Sequence, residues 1–307
     1  MERKIQGRIN SDHWTGGMLK QITVLSGKGG TGKTSLVASF AAISRRIVVA
    51  DCDVDAPNLH ILLNPTILQT QEFIGSKLAE IDPKKCTACG LCVEKCKFNA
   101  INDFVVDPVL CEGCGTCLLI CPSGGIHLKD RTSGYAYVSK IKYGLMSHAR
   151  LNPGEENSGK LVTLVRQNAR KIAEKENCEL ILNDGPPGIG CTVIASIGGI
   201  DLGLIVVEPT LSSIHDMERA LKLLNHFKIK PGICINKYDI NEDNTKEIVG
   251  FCKQKRIKIV GMIPFNLLVT EAMVAGKSVV EYFPRSKVTK VITKLWKSTF
   301  NYLDEKV

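Results

Sequence analysis

The chain has 307 residues, 44% of them hydrophobic, and its 40 basic and 31 acidic residues give a formal net charge of +9. The apolar share is ample for a buried core, and no apolar run is long enough for a membrane span or a signal region. We therefore expect a soluble, cytoplasmic protein, and interpret the positive charge as a source of solubility, with neither nucleic-acid nor membrane binding. Thirteen cysteines in such a chain indicate metal ligation rather than disulfides.

The first predicted elements are a strand, a glycine-rich loop and a helix. Residues 1–17 are polar and patternless, and we expect them to form an extension, for which disorder is one interpretation. An apolar β-branched run then ends at Ser26, and small and apolar residues continue from Ser35 to Ile43. Between them lies a loop whose glycines let backbone N–H groups turn towards phosphate oxygens, at the positive end of the helix. The predicted nucleotide-binding residues are Gly27, Lys28, Gly29, Gly30, Thr31, Gly32, Lys33, Thr34 and Ser35.

The residue types of this loop predict a nucleoside triphosphate as the ligand. Lys33 would reach the outer phosphates, and the hydroxyl of Thr34 would bind Mg²⁺. The second lysine, Lys28, makes the loop resemble the deviant Walker A motif of the MinD/ParA/Mrp family. The resemblance implies ATP as the nucleotide and a homodimer closed through the nucleotide sites, in which Lys28 crosses to the partner's nucleotide.

Carboxylates follow the next predicted strand, Arg46 to Ala50. Acidic residues at the carboxyl end of a strand beside a phosphate loop lie where Mg²⁺ and attacking water are held. By resemblance to the family's Asp-x-Asp pattern, Asp53 orients or deprotonates the water, with Asp51 and Asp55 as supporting candidates. The alternative is that these side chains cap the following turn.

From about residue 65 the α/β pattern stops and two cysteine runs follow. Each has the Cys-x2-Cys-x2-Cys-x3-Cys spacing of bacterial ferredoxins, in which three close thiolates hold one cluster and the fourth holds the other. The spacing predicts two [4Fe–4S] clusters. One would be ligated by Cys86, Cys89, Cys92 and Cys121, and the other by Cys111, Cys114, Cys117 and Cys96.

Zinc is the alternative metal for such thiolates, although structural zinc sites do not repeat a third cysteine at this interval. Lys97 stands where the first run would carry a proline, a departure that leaves the ligands intact. Two clusters so close together indicate a redox function. A hairpin is expected from Gly134 to Leu151, leading back to the α/β pattern.

The α/β pattern resumes with a helix near residues 160–175 and a strand from Leu180 to Asn183. The strand ends in Asp184, which suits the Walker B role of holding Mg²⁺ through water, and the following Gly/Pro turn suits switch II. The family's Asp-x-Pro-Pro-Gly pattern matches here. Cys191 could ligate a cluster across a dimer, as in the nitrogenase iron protein, but we interpret it as ordinary packing.

Weaker signals follow in the last third of the chain. By resemblance, Asn236 contacts adenine and Pro264 lines the base or ribose, although Asn-Lys also forms a plain turn. The stretch from Val288 to Leu303 predicts an amphipathic helix. A membrane-binding helix gives the same pattern, but we favour a helix docked on the sheet.

Taken together, the chain resembles ferredoxin-containing members of the MinD superfamily. The resemblance implies an α/β fold, a doubly wound, mainly parallel P-loop NTPase sheet of the SIMIBI type with an inserted bacterial-type 2[4Fe–4S] ferredoxin domain. The predicted domains are 18–65 with 150–307 for the ATPase, and 66–149 for the ferredoxin-like insertion with its flanking hairpin. Catalysis would use Lys28, Lys33, Asp53 and Asp184.

Three functions remain open. The first is ATP-gated electron transfer to a redox partner of unknown identity. The second is assembly of iron–sulfur or other metal clusters for a cluster-accepting protein. The third is a positioning ATPase that uses the ferredoxin as a sensor or docking module.

Overall fold

The computed structural model describes residues 19–44, 46–155 and 158–305, so the predicted extension 1–17 lies outside the described residues. Its strands are β1 Lys20–Ser26, β2 Ile47–Asp51, β3 Thr66–Ile81, β4 Ile101–Asn102, β5 Val105–Val106, β6 Ile126–Ile141, β7 Gly144–Leu151, β8 Leu180–Pro187, β9 Leu202–Val207, β10 Lys230–Asn236 and β11 Lys258–Ile263. Its helices are α1 Lys33–Ile43, α2 Leu59–Leu63, α3 Leu91–Lys95, α4 Thr116–Ile120, α5 Ser158–Lys175, α6 Cys191–Ile197, α7 Leu211–His226, α8 Glu242–Gln254, α9 Leu267–Val274, α10 Val279–Tyr282 and α11 Lys287–Asp304.

The described residues form two compact units. The sheet unit comprises residues 19–70, 137–149 and 158–305, with Arg45 left out, and the cysteine unit comprises residues 71–136 and 150–155. Residues 137–149 belong to the sheet unit, where β7 pairs in parallel with β2 and Gly144 lies opposite Ile47. Both β3 and β6 begin in one unit and end in the other.

Within the sheet unit the strand order is β11-β10-β9-β1-β8-β2-β7-β6. Every pairing from β11 to β7 is parallel. Parallel strands buried on both faces read as nearly continuous apolar runs, which is why β1, β2 and β9 are recognisable from the sequence. The prediction of a mainly parallel α/β P-loop NTPase sheet is confirmed.

The sheet carries a core on each face, because side chains alternate along a strand. On β1, Ile22 and Val24 belong to one buried apolar cluster, which includes residues of α1, α10 and α11. Leu25 belongs to the second cluster, with residues of α6, α7 and α8. Helices on both faces make this a doubly wound sheet. The parallel pairing of the central strands places their carboxyl ends at one edge.

The C-terminal helix α11 packs on this sheet. Trp296 is 1% exposed, and its ring stacks on Phe40 of α1 with the centroids 4.4 Å apart. Leu295 packs over Gly261 of β11, where a Cβ would lie 2.6 Å from Leu295 Cδ1. The apolar face of α11 is therefore buried within the sheet unit. None of the helices within the described ranges is long and apolar enough to cross a membrane.

The cysteine unit is built from two copies of one backbone pattern, and Cys111 follows Cys86 by 25 positions. Asp82 O accepts a hydrogen bond from Cys86 N at 3.0 Å, and its counterpart Asp107 O accepts one from Cys111 N at 3.1 Å. The short helices α3 and α4 occupy matching places. The matched left-handed residues are Ala88 (φ 53°) and Gly113 (63°), Gly90 (77°) and Gly115 (79°), and Asn99 (52°) and Gly124 (60°).

Candidate functional site

The glycine-rich loop connects β1 to the start of α1 at Lys33. Gly30 and Gly32 have φ angles of 81° and 87°, the left-handed region that glycine adopts without a steric penalty. Gly32 also lies close to Asn236, because an added Cβ would be 2.6 Å from Asn236 Nδ2. The loop can therefore keep its curvature only with glycine at this position.

A cavity of about 560 Å³ opens from this loop, a size typical of small-molecule sites. Of the predicted nucleotide-binding residues, Gly27, Lys28, Gly29 and Thr31 are not part of its lining. The predicted residues that do line it are Gly30, Gly32, Lys33, Thr34, Ser35, Asn236 and Pro264.

The far side of the cavity is formed by the loops after β10 and β11. Asn236 Nδ2 donates to Thr31 O at 2.9 Å, so the end of β10 is tied to the phosphate loop. Phe265 N donates to Asp239 Oδ1 at 2.6 Å and joins the two outer loops. Sequence reasoning missed Phe265, which lines the cavity beside Pro264. No sequence pattern marks Phe265, because its bond to Asp239 joins two loops that meet only in the folded sheet.

Two carboxylates lie side by side at the carboxyl edge of the sheet. Asp51 and Asp184 are register partners on β2 and β8, and each is 1% exposed. Among the residues that the structure describes, Asp51 Oδ2 and Asp184 Oδ1 find no hydrogen-bond partner. Burial raises the pKa of Asp184 to about 6, and burial together with the neighbouring Asp184 raises the pKa of Asp51 well above its ordinary value.

Lys33 and Asp53 face the same carboxylates. The Lys33 side chain is buried, and its burial lowers its pKa, while the charges of Asp184 and Asp53 oppose that shift. Asp53 is half-buried, which raises its pKa, and its backbone N–H donates to Asp51 Oδ1 at 3.1 Å. The structure thus brings Lys33, Asp53 and Asp184 together, whereas Asp55 is exposed.

The remaining predicted catalytic residue, Lys28, points to the start of α7. Its Nζ donates to Thr210 Oγ1 at 3.1 Å and lies 3.4 Å from Ser212 Oγ. Thr210 is also the N-cap of α7, because its side chain accepts from Ser213 N. Lys28 therefore contacts the start of α7 in the same chain and does not line the cavity.

In the cysteine unit, eight thiols line two small cavities. The first is lined by Cys86, Cys89, Cys92 and Cys121. The second is lined by Cys96, Cys111, Cys114 and Cys117. In the parts of the chain that the structure describes, no group of three or more His, Cys, Asp or Glu side chains is arranged to hold a single metal ion. Cys191 lines neither cavity and is exposed at the start of α6.

Polar groups surround several of these sulfurs. Ala100 N donates to Cys96 Sγ at 3.4 Å. A hydrogen bond with Thr116 lowers the pKa of Cys114, and one with Ser123 lowers the pKa of Cys121. Burial raises the pKa of Cys92 and of Cys117. The cavities therefore combine apolar walls with a few donors to sulfur.

A match to a known protein family assigns the chain to that family. The family of CobQ/CobB/MinD/ParA nucleotide binding domains matches residues 22–279. The chain belongs to this nucleotide-binding family. The match covers the phosphate loop, the carboxylate pair and both loops of the cavity.

One relative and two solved structures are similar to this nucleotide-binding protein over most of its length. An uncharacterized protein of Methanocaldococcus jannaschii is 36% identical over 290 residues, which are 94% of this chain and 99% of the relative. The cell division ATPase MinD of Pyrococcus furiosus has the same fold, with a TM-score of 0.57 at 16% identity over 93% of this chain and 100% of that one. The septum site-determining protein MinD of Pyrococcus horikoshii, solved with Mg-ADP, gives a TM-score of 0.57 at 17% identity over 94% and 100%.

Proposed function

We propose that this protein is a Mg²⁺-dependent ATPase whose cysteine unit holds two [4Fe–4S] clusters, and that nucleotide state controls electron transfer through them. The observation that carries the proposal is the lining of the two cysteine cavities. Each holds three cysteines of one run and the last cysteine of the other, the ligand exchange expected of a two-cluster ferredoxin.

ATP fits the cavity of the sheet unit. The phosphate loop, Lys33 and the positive end of α1 would hold the phosphates, while Asn236, Pro264 and Phe265 would face the base and ribose. A P. horikoshii MinD of the same fold was solved with Mg-ADP, which supports a nucleotide at this place.

A magnesium ion fits beside the phosphates. The unpaired oxygens of Asp184 and Asp51 are buried acceptors, and a hard divalent cation with its waters would satisfy them. Thr34 and Asp184 would hold the ion, Lys33 would neutralise phosphate charge, and Asp53 would orient the attacking water. We propose these roles because the four side chains lie at one edge of the sheet.

The donor set of the cysteine cavities fits iron–sulfur clusters better than zinc. Four thiolates around an apolar cavity suit a cluster, and a four-iron group keeps its ligands further apart than a single ion would. This accounts for the lack, within the described residues, of any group arranged for one metal ion. When bound, such clusters supply one-electron redox chemistry, and the donors to Cys96, Cys114 and Cys121 would tune it.

We also propose a nucleotide-dependent homodimer. In that state Lys28 would leave Thr210 and Ser212 and reach the partner's phosphates. Rearrangement of the segment from Asp184 to Cys191, which is the end of β8 and the loop after it, would carry the nucleotide state to the rest of the protein.

Metal analysis tests the cluster assignment directly. Anaerobically reconstituted protein should carry about eight iron and eight sulfide per chain. The pair Cys86→Ala and Cys89→Ala should remove about half of each, whereas Cys178→Ala, outside both cavities, should remove none. Stoichiometric zinc without iron, or full iron in the double variant, would overturn the assignment.

A transfer assay distinguishes cluster assembly from electron transfer through permanent clusters. Permanent redox clusters should stay with the protein when an apo-ferredoxin acceptor and ATP are added. Loss of iron to the acceptor in step with ATP hydrolysis would favour the assembly function instead.

A further inference from the structure

The two repeats of the cysteine unit share a backbone but differ in surface chemistry. Positions that are charged in the first repeat are aliphatic in the second, 25 residues later. The matched pairs are Lys84 and Val109, Lys85 and Leu110, Glu94 and Leu119, and Lys95 and Ile120.

We give the name aliphatic surface to four exposed aliphatic side chains that lie next to cysteines of the second run or one residue further away along the chain. Val109 is 75% exposed, Leu110 45%, Leu118 39% and Leu119 85%. In the first repeat, the residue that matches Leu119 is Glu94, which pairs with Lys95 at 2.7 Å. The same backbone forms with charged residues at the positions that match Val109, Leu110 and Leu119, so the fold does not require aliphatic side chains there. A group of exposed aliphatic residues then indicates a contact surface.

The aliphatic surface borders the second cysteine cavity. Leu110 immediately precedes Cys111, and Leu118 immediately follows Cys117, and both cysteines line that cavity. Cys114 of the same cavity is itself exposed. A protein seated on this surface would therefore lie against the ligands of the second cluster.

The second repeat carries negative charges and no positive charge of its own. Residues 103–125 contain Asp103, Asp107 and Glu112 but no lysine or arginine, whereas the matching residues 78–100 contain four lysines. Two basic residues from outside this repeat lie against it, and the charge of each is paired. Arg131 donates to the carbonyl oxygens of Pro108 and Cys111 and is paired with Glu155. Lys77, whose backbone packs against Gly113, lies 3.6 Å from Asp130. An apolar patch with an acidic rim is complementary to an apolar patch with a basic rim.

We propose that the aliphatic surface is the docking site of a one-electron redox protein whose own contact surface is apolar and ringed by lysine and arginine. The four cysteines of the second cavity would hold the cluster that exchanges one electron with the partner's redox centre. The donor is oxidised and the acceptor reduced by that electron, and no bond or proton moves. The proposal rests on the proposed clusters of the cysteine unit.

Oxidised cytochrome c serves as the probe, because it is a one-electron protein with a lysine-ringed contact surface. With both proteins oxidised no electron flows, and calorimetry at low salt measures binding alone. Leu118→Gln together with Leu119→Gln should weaken binding at least tenfold. Val93→Gln, the position that matches Leu118 in the first repeat, should change it less than twofold.

Salt and kinetics give independent readouts. Raising the salt from 50 to 200 mM should weaken wild-type binding, since the rim charges attract the probe. In the kinetic experiment, dithionite-reduced protein is mixed with cytochrome c in a stopped-flow instrument. The reduction of cytochrome c should be slower with the double variant, in proportion to its weaker binding. Glu112→Gln should also slow the reduction of cytochrome c, because the loss of an acidic charge lowers the association rate.

Iron content, measured for every variant, separates the possible failures. Wild-type protein without iron would overturn both the proposed function and the docking site. Full iron in all variants with no saturable binding of cytochrome c, or with equal weakening by Val93→Gln, would overturn the docking site alone.

Discussion

At the residue scale, the buried carboxylates give the nucleotide site a pH dependence. The ordinary pKa of an aspartate is 3.8, and burial raises that of Asp184 to about 6. Below this pH the carboxyl group holds a proton that a metal ion must displace. The affinity for Mg²⁺ should therefore be greatest above pH 6 and fall about tenfold per pH unit below it.

Titration of Mg²⁺ into the complex with a fluorescent ADP between pH 7.5 and pH 5 measures this dependence. The phosphates of ADP also titrate, so Asp184→Asn provides the control. The variant should bind Mg²⁺ more weakly at pH 7.5 and show a shallower pH profile. Identical slopes for wild type and variant would exclude Asp184 as the titrating group.

A second residue-scale prediction concerns Gly113. It has a φ of 63°, and an added Cβ would overlap the carbonyl oxygen of Lys77. Gly113→Ala should destabilise the cysteine unit by about 1–3 kcal/mol. The matched residue Ala88 has a φ of 53°, so Ala88→Gly should change stability by less than about 1 kcal/mol. Denaturant unfolding of the two variants measures the difference, and equal effects would contradict this explanation.

At the element scale, the burial of α11 predicts a structural role for that helix. Trp296→Ala removes a ring stacked on Phe40 and should cost about 3–5 kcal/mol of stability. Lys297→Ala, on the exposed face of the same helix, should cost less than about 0.5 kcal/mol. Thermal unfolding compares them. A small loss for Trp296→Ala, combined with binding of wild type to anionic vesicles, would indicate a membrane helix instead.

Most sheet elements could be predicted because their signals are local. Residues 202–207 form an unbroken apolar run and fold as β9 with those bounds. The glycine spacing that predicts the phosphate loop is likewise contained in a few residues. The cysteine spacing is equally local, and the two sets of four that it predicts are the sets that line the two cavities of the cysteine unit.

The parts that could not be predicted depend on tertiary neighbours. Most of β3 is exposed, so its 16 residues show no apolar run or alternation. The contact of Lys28 with Thr210 joins residues 182 positions apart, and no sequence motif marks it. The bond from Phe265 N to Asp239 is of the same kind, because two loops meet only once the sheet has formed.

At the scale of the whole molecule, Lys28 links nucleotide binding to assembly. Because Lys28 does not line the cavity, Lys28→Ala should bind ADP with wild-type affinity but fail to dimerise with a non-hydrolysable ATP analogue. Lys33→Ala should lose both nucleotide binding and dimerisation. Sedimentation velocity measures the assembly and equilibrium dialysis the binding. A Lys28→Ala protein that still dimerises with the analogue would remove this residue from the interface.

The central claim is that nucleotide state and the cysteine unit are coupled. The most direct measurement is an anaerobic redox titration of the cluster-loaded protein, followed by EPR, without nucleotide, with ADP and with a non-hydrolysable ATP analogue. With coupling, the midpoint potential or the spectrum should change with the analogue, and no such change should occur in Lys33→Ala. Three coincident curves for the wild-type protein would contradict the claim and leave an ATPase whose clusters do not respond to its nucleotide.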